Sequence, residues 1–215
     1  MSINLAIIGA GNVGGALGAA WAQKAGHDIY FGVRDSKAEK AQTLVKSIGA
    51  KARAVSPAEA AAACDIIVLS TPWPATEAAI RSLGAIKGKV VLDATNPLVR
   101  AADGITLEVG HTTSGGEKVQ AWAAGASVFK TLNTAGFGTM ADPKFKGGKP
   151  VMFVAGDDAA SKPKVMALIG ELGFETIDAG PLRSARLLEP YALLWIDQAL
   201  FRGQGRDWAF GILRR

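Results

Sequence analysis

Five of the ten residues from Gly9 to Gly18, "GAGNVGGALG", are glycine, and they follow directly on the apolar run "INLAII". Glycine inside a helix costs roughly 0.5–1 kcal/mol against alanine. A chain that concentrates it where a strand hands over to a helix needs bare backbone at that point. The spacing Gly9-x-Gly11-x-x-Gly14, behind a predicted strand and opening a predicted helix, reads as a dinucleotide-binding turn. Gly9 permits the tight turn, Gly11 lets the backbone approach a pyrophosphate, and Gly14 lets helix and strand pack closely. The free N–H groups and the dipole at the helix start then favour an anion.

The rest of the chain repeats this alternation. Apolar runs stand at Leu5–Ile8, Ile29–Val33, Ile66–Leu69, Val90–Leu92, Val128–Phe129 and Val151–Ala155, with weaker ones at Lys51–Ala54 and Glu175–Ile177. Runs that are apolar throughout suit strands buried on both faces of a parallel sheet. "SKAE" (Ser36–Glu39), "SPAE" (Ser56–Glu59) and "SGGE" (Ser114–Glu117) read as capping boxes that start helices. The expected fold is α/β, a doubly wound, mostly parallel Rossmann sheet with right-handed crossovers. Residues 1–180 are expected to form the nucleotide-binding domain and 181–215 a small helical annex packed on it, with Pro190 kinking or splitting its helix.

Composition narrows the function classes. The 215 residues are 49% hydrophobic and 20% charged, an ordinary globular balance. The single cysteine, Cys64, excludes a disulfide framework and suits a reducing cytoplasm; it reads as a packing residue. The N-terminal apolar run lacks a basic flank and leads into the glycine turn, unlike a signal peptide. No window reaches the roughly 20 apolar residues of a membrane span. The net charge of +5 favours anionic ligands, and no basic–aromatic interleaving points to nucleic acid.

The second strand ends in "YFGVRDS". An NAD site commonly offers a carboxylate there to the ribose 2′-hydroxyl. Here Arg34 takes that place, and a guanidinium suits the 2′-phosphate of NADP. Ser36 offers a hydroxyl to the same phosphate or caps the next helix, and Asp35 would repel the phosphate if turned inward. In a doubly wound sheet the ligand lies beyond the carboxyl ends of the strands where strand order reverses, here between the first and fourth strands. The loops "STPWPA" (Ser70–Ala75), "DATNPL" (Asp93–Leu98) and "KTLNTAGFG" (Lys130–Gly138) should reach the same edge. Nicotinamide and acceptor would then sit against Ser70, Thr71, Pro72, Trp73, Asn96, Pro97, Asn133, Thr134 and Ala135. Each has a structural alternative as a turn or packing residue. Asp93 is expected to cap a turn. His27 lies at the opposite edge, and His111 sits in a loop that could cover the nicotinamide as a weak catalytic candidate. No Ser–His–Asp order, carboxylate pair or metal-ligand spacing appears. A ketone reductase needs a placed acid or base. Hydride exchange between two flat redox cofactors mainly needs the rings held in register.

"GAGNVGGALG", "CDIIVLSTPW" and, most specifically, "DAGPLRSARLLEP" (Asp178–Pro190) resemble the NADP-dependent oxidoreductases of coenzyme F420, an 8-hydroxy-5-deazaflavin. The resemblance covers nearly the whole chain. It implies a Rossmann domain with a small C-terminal annex, a homodimer, and hydride exchange between NADP(H) and a deazaflavin. By position, Gly9, Ala10, Gly11, Asn12 and Val13 would hold the pyrophosphate. Val33 and Arg34 would surround the 2′-phosphate, and Thr71, Pro72 and Trp73 would approach the nicotinamide. The chain departs from the family pattern at Val33, where a serine is usual, and at Asn133, where a histidine is usual. Other acceptors compatible with the residues are a free flavin, a quinone or a ferric chelate, and a non-catalytic NADP sensor would also fit.

Overall fold

The computed structural model describes residues 2–102 and 104–215. The first strand, β1 (Asn4–Ile8), runs through the glycine turn into α1 (Asn12–Ala20), which ends in a π-helical turn at Trp21–Ala25. There follow β2 (Asp28–Gly32), α2 (Glu39–Ile48), β3 (Ala52–Val55), α3 (Pro57–Ala63), β4 (Ile66–Leu69), α4 (Trp73–Arg81) and β5 (Val90–Asp93). Then come a hairpin of β6 (Leu98–Ala101) and β7 (Gly104–Leu107), α5 (Gly115–Trp122), β8 (Ser127–Lys130) and α6 (Phe137–Ala141). The chain closes with β9 (Val151–Gly156), α7 (Lys162–Glu171), β10 (Glu175–Asp178) and α8 (Ala185–Leu200).

Eight strands form one sheet in the order β10-β9-β8-β5-β4-β1-β2-β3. From β8 to β3 every pairing is parallel; β9 joins β8 antiparallel, and β10 follows β9 in parallel. The sheet is therefore mostly parallel, as its unbroken apolar runs predict. The reason is visible in how successive residues alternate. Leu5, Ile7, Ile66, Val68 and Phe129 pack on one face with Leu17, Trp21 and Ile169; Ala6, Ile8, Ile67, Leu69 and Val128 pack on the other with Ala60, Ile80 and Val119. The inner strands are buried on both sides, so period-two polarity does not appear in them, whereas the edge strands β3 and β10 are only partly buried. Because β1 lies between β2 and β4, strand order reverses at β1, and the ends of β1, β2, β4 and β5 open to one crevice.

The capping boxes have three different outcomes. At α3 the box is complete: Glu59 N–H donates to Ser56 Oγ at 3.3 Å and Ser56 N–H donates to Glu59 Oε2 at 2.8 Å. At α5 only half forms. Ser114 Oγ caps Glu117 N–H at 3.2 Å, but the Glu117 carboxylate is drawn away by Arg186, whose Nε and Nη2 donate at 2.9 and 2.7 Å. At α2 the box does not form, and the helix starts behind Ala38 without a side-chain cap. Asp35 Oδ1 instead takes the Lys37 N–H at 2.9 Å, and Gln42 Nε2 donates to the Ser36 carbonyl at 2.6 Å. A tight Asx turn thus replaces the expected cap.

The β6–β7 hairpin is an element the apolar runs did not announce. Its strands are half-exposed and short, so "LVRA" and "GITL" carry no long apolar signal. Pro190 does not split the last helix, which runs unbroken through it. One face of α8, carrying Leu188, Glu189, Ala192, Trp195 and Ala199, is buried. The tail then returns along it: Phe210 stacks on Tyr191 with centroids 4.0 Å apart, and its carbonyl accepts from Val151 N–H at 2.9 Å.

Candidate functional site

A cavity of about 1120 Å³ opens at the reversal point. It lies just above the roughly 300–1,000 Å³ usual for small-molecule sites, which suits a dinucleotide-sized ligand. Its middle is the glycine turn. Gly9 has φ +106°, a left-handed conformation that a side chain resists. Its carbonyl accepts from Ser70 Oγ at 2.9 Å, which ties the turn to the end of β4. A Cβ on Gly14 would lie 2.0 Å from the Gly9 carbonyl oxygen, so only glycine allows helix and turn to meet this closely. Gly14 therefore shapes the turn from behind without lining the cavity. A Cβ on Gly11, by contrast, would meet nothing within 4 Å on the protein side. Gly11 is the N-cap of α1, makes no side-chain cap bond, and the first turn holds no acidic residue. The leading N–H groups beside Asn12 and Val13 thus face the cavity under the positive end of the helix dipole.

One end of the cavity is formed where β2 passes into α2. Val33, Arg34, Asp35, Ala38, Lys40 and Ala41 line it. Arg34 and Lys40 are exposed, and among the described residues neither pairs with a carboxylate. The Asp35 carboxylate faces its own turn through the Lys37 N–H. Ser36 stands off the cavity, its carbonyl engaged by Gln42. Sequence reasoning missed Lys40. The available signal was its position in the first turn of α2, six residues after Arg34.

The other end is formed by the loops after β4 and β5. Ser70, Thr71, Pro72, Trp73, Ala94, Thr95, Asn96 and Leu98 line it. Trp73 is 6% exposed; its Nε1 donates to Glu108 Oε2 at 2.9 Å and its ring meets Trp122 at 5.4 Å, so the segment after β7 pins it. Leu98, the first residue of the hairpin, extends the apolar wall. The titratable groups on the cavity wall are Arg34, Asp35 and Lys40, all at the far end. Pro97, Asn133, Thr134, Ala135 and His111 do not line the cavity. His111 is exposed on a turn, at φ 57°. Pro97 is buried against Gly115, Thr134 is buried with its hydroxyl on Met152 Sδ at 3.6 Å, and Ala135 packs on the core.

Asn133 sits one layer behind the wall. Asn96 Nδ2 donates to the Asn133 carbonyl at 3.0 Å, and Asn133 Nδ2 donates to Asn96 Oδ1 at 3.2 Å and to the Leu188 carbonyl at 3.1 Å. Beside it lies a buried ionic cluster that no local pattern revealed. Lys130, 0% exposed, donates to Asp93 Oδ2 at 2.9 Å, to the Thr95 carbonyl at 2.7 Å and meets Glu189 Oε1 at 2.9 Å. Glu189 also accepts from Gly115 and Gly116 N–H at 2.8 and 2.9 Å, at the start of α5. Asp93 caps the turn as the sequence suggests: its Oδ1 accepts from Thr95 N–H and Oγ1 at 3.0 and 2.7 Å. Burial alone would depress the Lys130 ammonium, but the Asp93 and Glu189 carboxylates outweigh it and hold its pKa above the usual lysine value. His27 lies at the opposite edge, buried, with Nε2 on Glu171 at 2.7 Å.

Similarity to known proteins agrees with this geometry. Residues 4–97, from β1 to the loop after β5, match the family described as NADP oxidoreductase, coenzyme F420-dependent. A candidate F420-dependent NADP reductase from Arthrobacter sp. FB24 is 30% identical, with 99% of this chain and 100% of that one covered and a TM-score of 0.89. The chain belongs to the F420-dependent NADP oxidoreductase family. It is an NADP-dependent oxidoreductase with a Rossmann-like fold. More distant likenesses concern the fold alone. A reductive aminase from Aspergillus terreus, solved with NADPH and ethyl-5-oxohexanoate, is 22% identical over 94% of this chain and 64% of its own, with a TM-score of 0.68. A pyrroline carboxylate reductase from Plasmodium falciparum with NADP bound is 14% identical over 94% of this chain and 69% of its own, with a TM-score of 0.56.

Proposed function

We propose that this oxidoreductase exchanges hydride between NADP(H) and a deazaflavin of the coenzyme F420 type. The observation that carries the reading is the division of the cavity. All its titratable side chains, Arg34, Asp35 and Lys40, gather at one end, and the Trp73–Leu98 end has none. A carbonyl or imine acceptor would need a proton delivered beside the hydride. A flat cofactor takes hydride on a ring carbon and can take its proton at a ring nitrogen from solvent, so it needs orientation and a dry wall at the hydride instead of a placed acid.

The residues present fit NADP. The uncapped N–H groups of α1 and the open space at Gly11 suit the pyrophosphate, and Arg34 with Lys40 suits the 2′-phosphate through charge-assisted bonds. When bound, NADPH supplies the hydride. The chain's own part is to hold the two phosphate groups, to present Thr71, Pro72, Thr95 and Asn96 along the nicotinamide, and to exclude water with Trp73 and Leu98. Pro97, Asn133, Thr134 and Ala135 act from behind the wall in this reading, Ser36 stands off the phosphate-binding end, and His111 has no part in the chemistry.

We further read residues 181–215 as an annex on the nucleotide-binding unit 1–180. The enzyme works as a homodimer in the cytoplasm, a compartment that suits its single buried thiol. Support for pairing comes from Leu187, Leu194 and Phe201, which recur every seven residues and are 73%, 51% and 53% exposed. Sedimentation of a Leu187→Glu, Leu194→Glu protein as the same species as wild type would remove that support.

The test of the function is NADPH oxidation followed by absorbance with F420, FMN, a quinone and a ferric chelate in turn. Turnover with the deazaflavin alone is the expected result. Faster turnover with another acceptor would replace the proposed substrate, and tight NADPH binding without turnover would make the protein a nucleotide sensor.

A further inference from the structure

α8 does not touch the cavity, yet two of its adjacent residues are tied to two adjacent residues of the cavity wall. Glu189 meets Lys130, whose ammonium bonds the Thr95 carbonyl; the Leu188 carbonyl holds Asn133, which bonds Asn96 in both directions. Both intermediaries come from the end of β8 and the loop behind it, where Leu132 is held at φ 61°. A non-glycine residue in that region is strained and persists only when its surroundings over-determine it. Here Lys130 and Asn133 anchor the loop on either side of it. The Asp93 carboxylate completes the clamp by taking both the N–H and the hydroxyl of Thr95.

We propose that Lys130 is a positioning residue through which α8 sets the nicotinamide end of the site. The proposal rests on the NADP reading above. With all three of its N–H bonds committed, to Asp93, Glu189 and Thr95, the buried ammonium cannot reach the ligand. It holds the Thr95–Asn96 strip at the depth where that strip lines the cavity. If α8 loosens, Glu189 leaves, Lys130 loses one of its two carboxylates, and its hold on the strip slackens. The pyrophosphate turn and the Arg34–Lys40 end have no bond in this network, so they keep their shape.

The test separates the two ends of the cofactor site without needing the acceptor. Wild type and Lys130→Met are titrated with NADPH and with 2′-phospho-ADP-ribose, which is NADP lacking the nicotinamide. For a folded variant the expected loss is roughly tenfold or more for NADPH, as small misplacements of an ordered wall are costly. The fragment should stay within about twofold, as expected of a distant independent site. A purely structural role would leave both constants of the folded variant unchanged, or weaken both together, and either result overturns the proposal. Should Lys130→Met not fold, Glu189→Gln and Asn133→Ala, which each cut one tie and keep Lys130, are read by the same pair of constants. Wild type that binds neither probe would overturn the NADP reading itself, and this proposal with it.

Discussion

The two ends of the cavity are built by opposite means. At the Arg34 end, the turn Gly9–Gly14 and the Arg34–Lys40 segment are short, contiguous stretches, and Arg34 and Lys40 stand exposed with no carboxylate partner among the described residues. At the Trp73 end, the wall residues are steadied from 37 and 35 positions away, Asn96 by Asn133 and Thr95 by Lys130. Behind these stands a carboxylate 74 positions from the N–H it accepts from, Glu189 against Gly115. In the proposed reading, local backbone chemistry makes the socket for the part of the ligand that all dinucleotides share, and long-range packing makes the part that faces the acceptor.

Breaking the long-range side should cost most. Glu189→Ala removes one of the two carboxylates on Lys130 and leaves the Gly115 and Gly116 N–H groups without a buried partner, and should lower unfolding free energy by about 3–5 kcal/mol in urea titration. Unchanged stability would mean that the cluster is not an energetic anchor. Gly14→Ala probes the local side. A Cβ 2.0 Å from a carbonyl oxygen forces the backbone apart, a strain of about 3 kcal/mol visible in the same titration. Gly11→Val should keep wild-type stability but lose cofactor binding, because its side chain would occupy ligand space only. Retained NADPH binding would count against the pyrophosphate assignment.

Arg34→Glu sharpens the contrast between nucleotides. It should weaken NADPH by about 1.5–3 kcal/mol, the range for a lost charged hydrogen bond, and leave NADH little altered. Equal losses would exclude the 2′-phosphate role. The smallest effect concerns how α8 is held to α5. The hydrogen bonds from Arg186 keep the Glu117 carboxyl below its usual pKa. A depressed carboxyl contributes stability that is present above its unfolded value, near 4.5, and is lost as pH falls below it. Wild type should therefore lose part of its advantage over Glu117→Gln between neutral pH and pH of about 4, as measured by denaturation midpoints. A constant difference would show that the Arg186 pair adds nothing.

Much of the fold was legible because its signals are local. Unbroken apolar runs identified the strands of the large sheet, since burial on both faces removes polar alternation. "SPAE" identified a helix start because all its partners lie within three residues. "SKAE" failed through an equally local rival: the Asp35 side chain reached the Lys37 N–H first. The β6–β7 hairpin escaped because half-exposed strands of four residues have no distinctive run. Within the candidate site, Arg34 was legible from its place after β2, whereas Lys40 reaches the same rim only because α2 turns back over it. Asn133 looked like a wall residue, but the strained turn at Leu132 carries it behind Asn96.

The amino-acid order alone determined the strand–turn–helix unit, the reversal of strand order beside it, and a cation where a second strand ends. These follow from φ preferences, missing Cβ atoms and burial patterns that each act over a few residues. Only the tertiary structure decided that a lysine in an apolar strand, an aspartate at the end of another and a glutamate in the last helix would meet in the dark behind the wall. A buried charge is tolerable only where opposite charges and carbonyls converge on it, and that convergence exists in three dimensions, not along the chain.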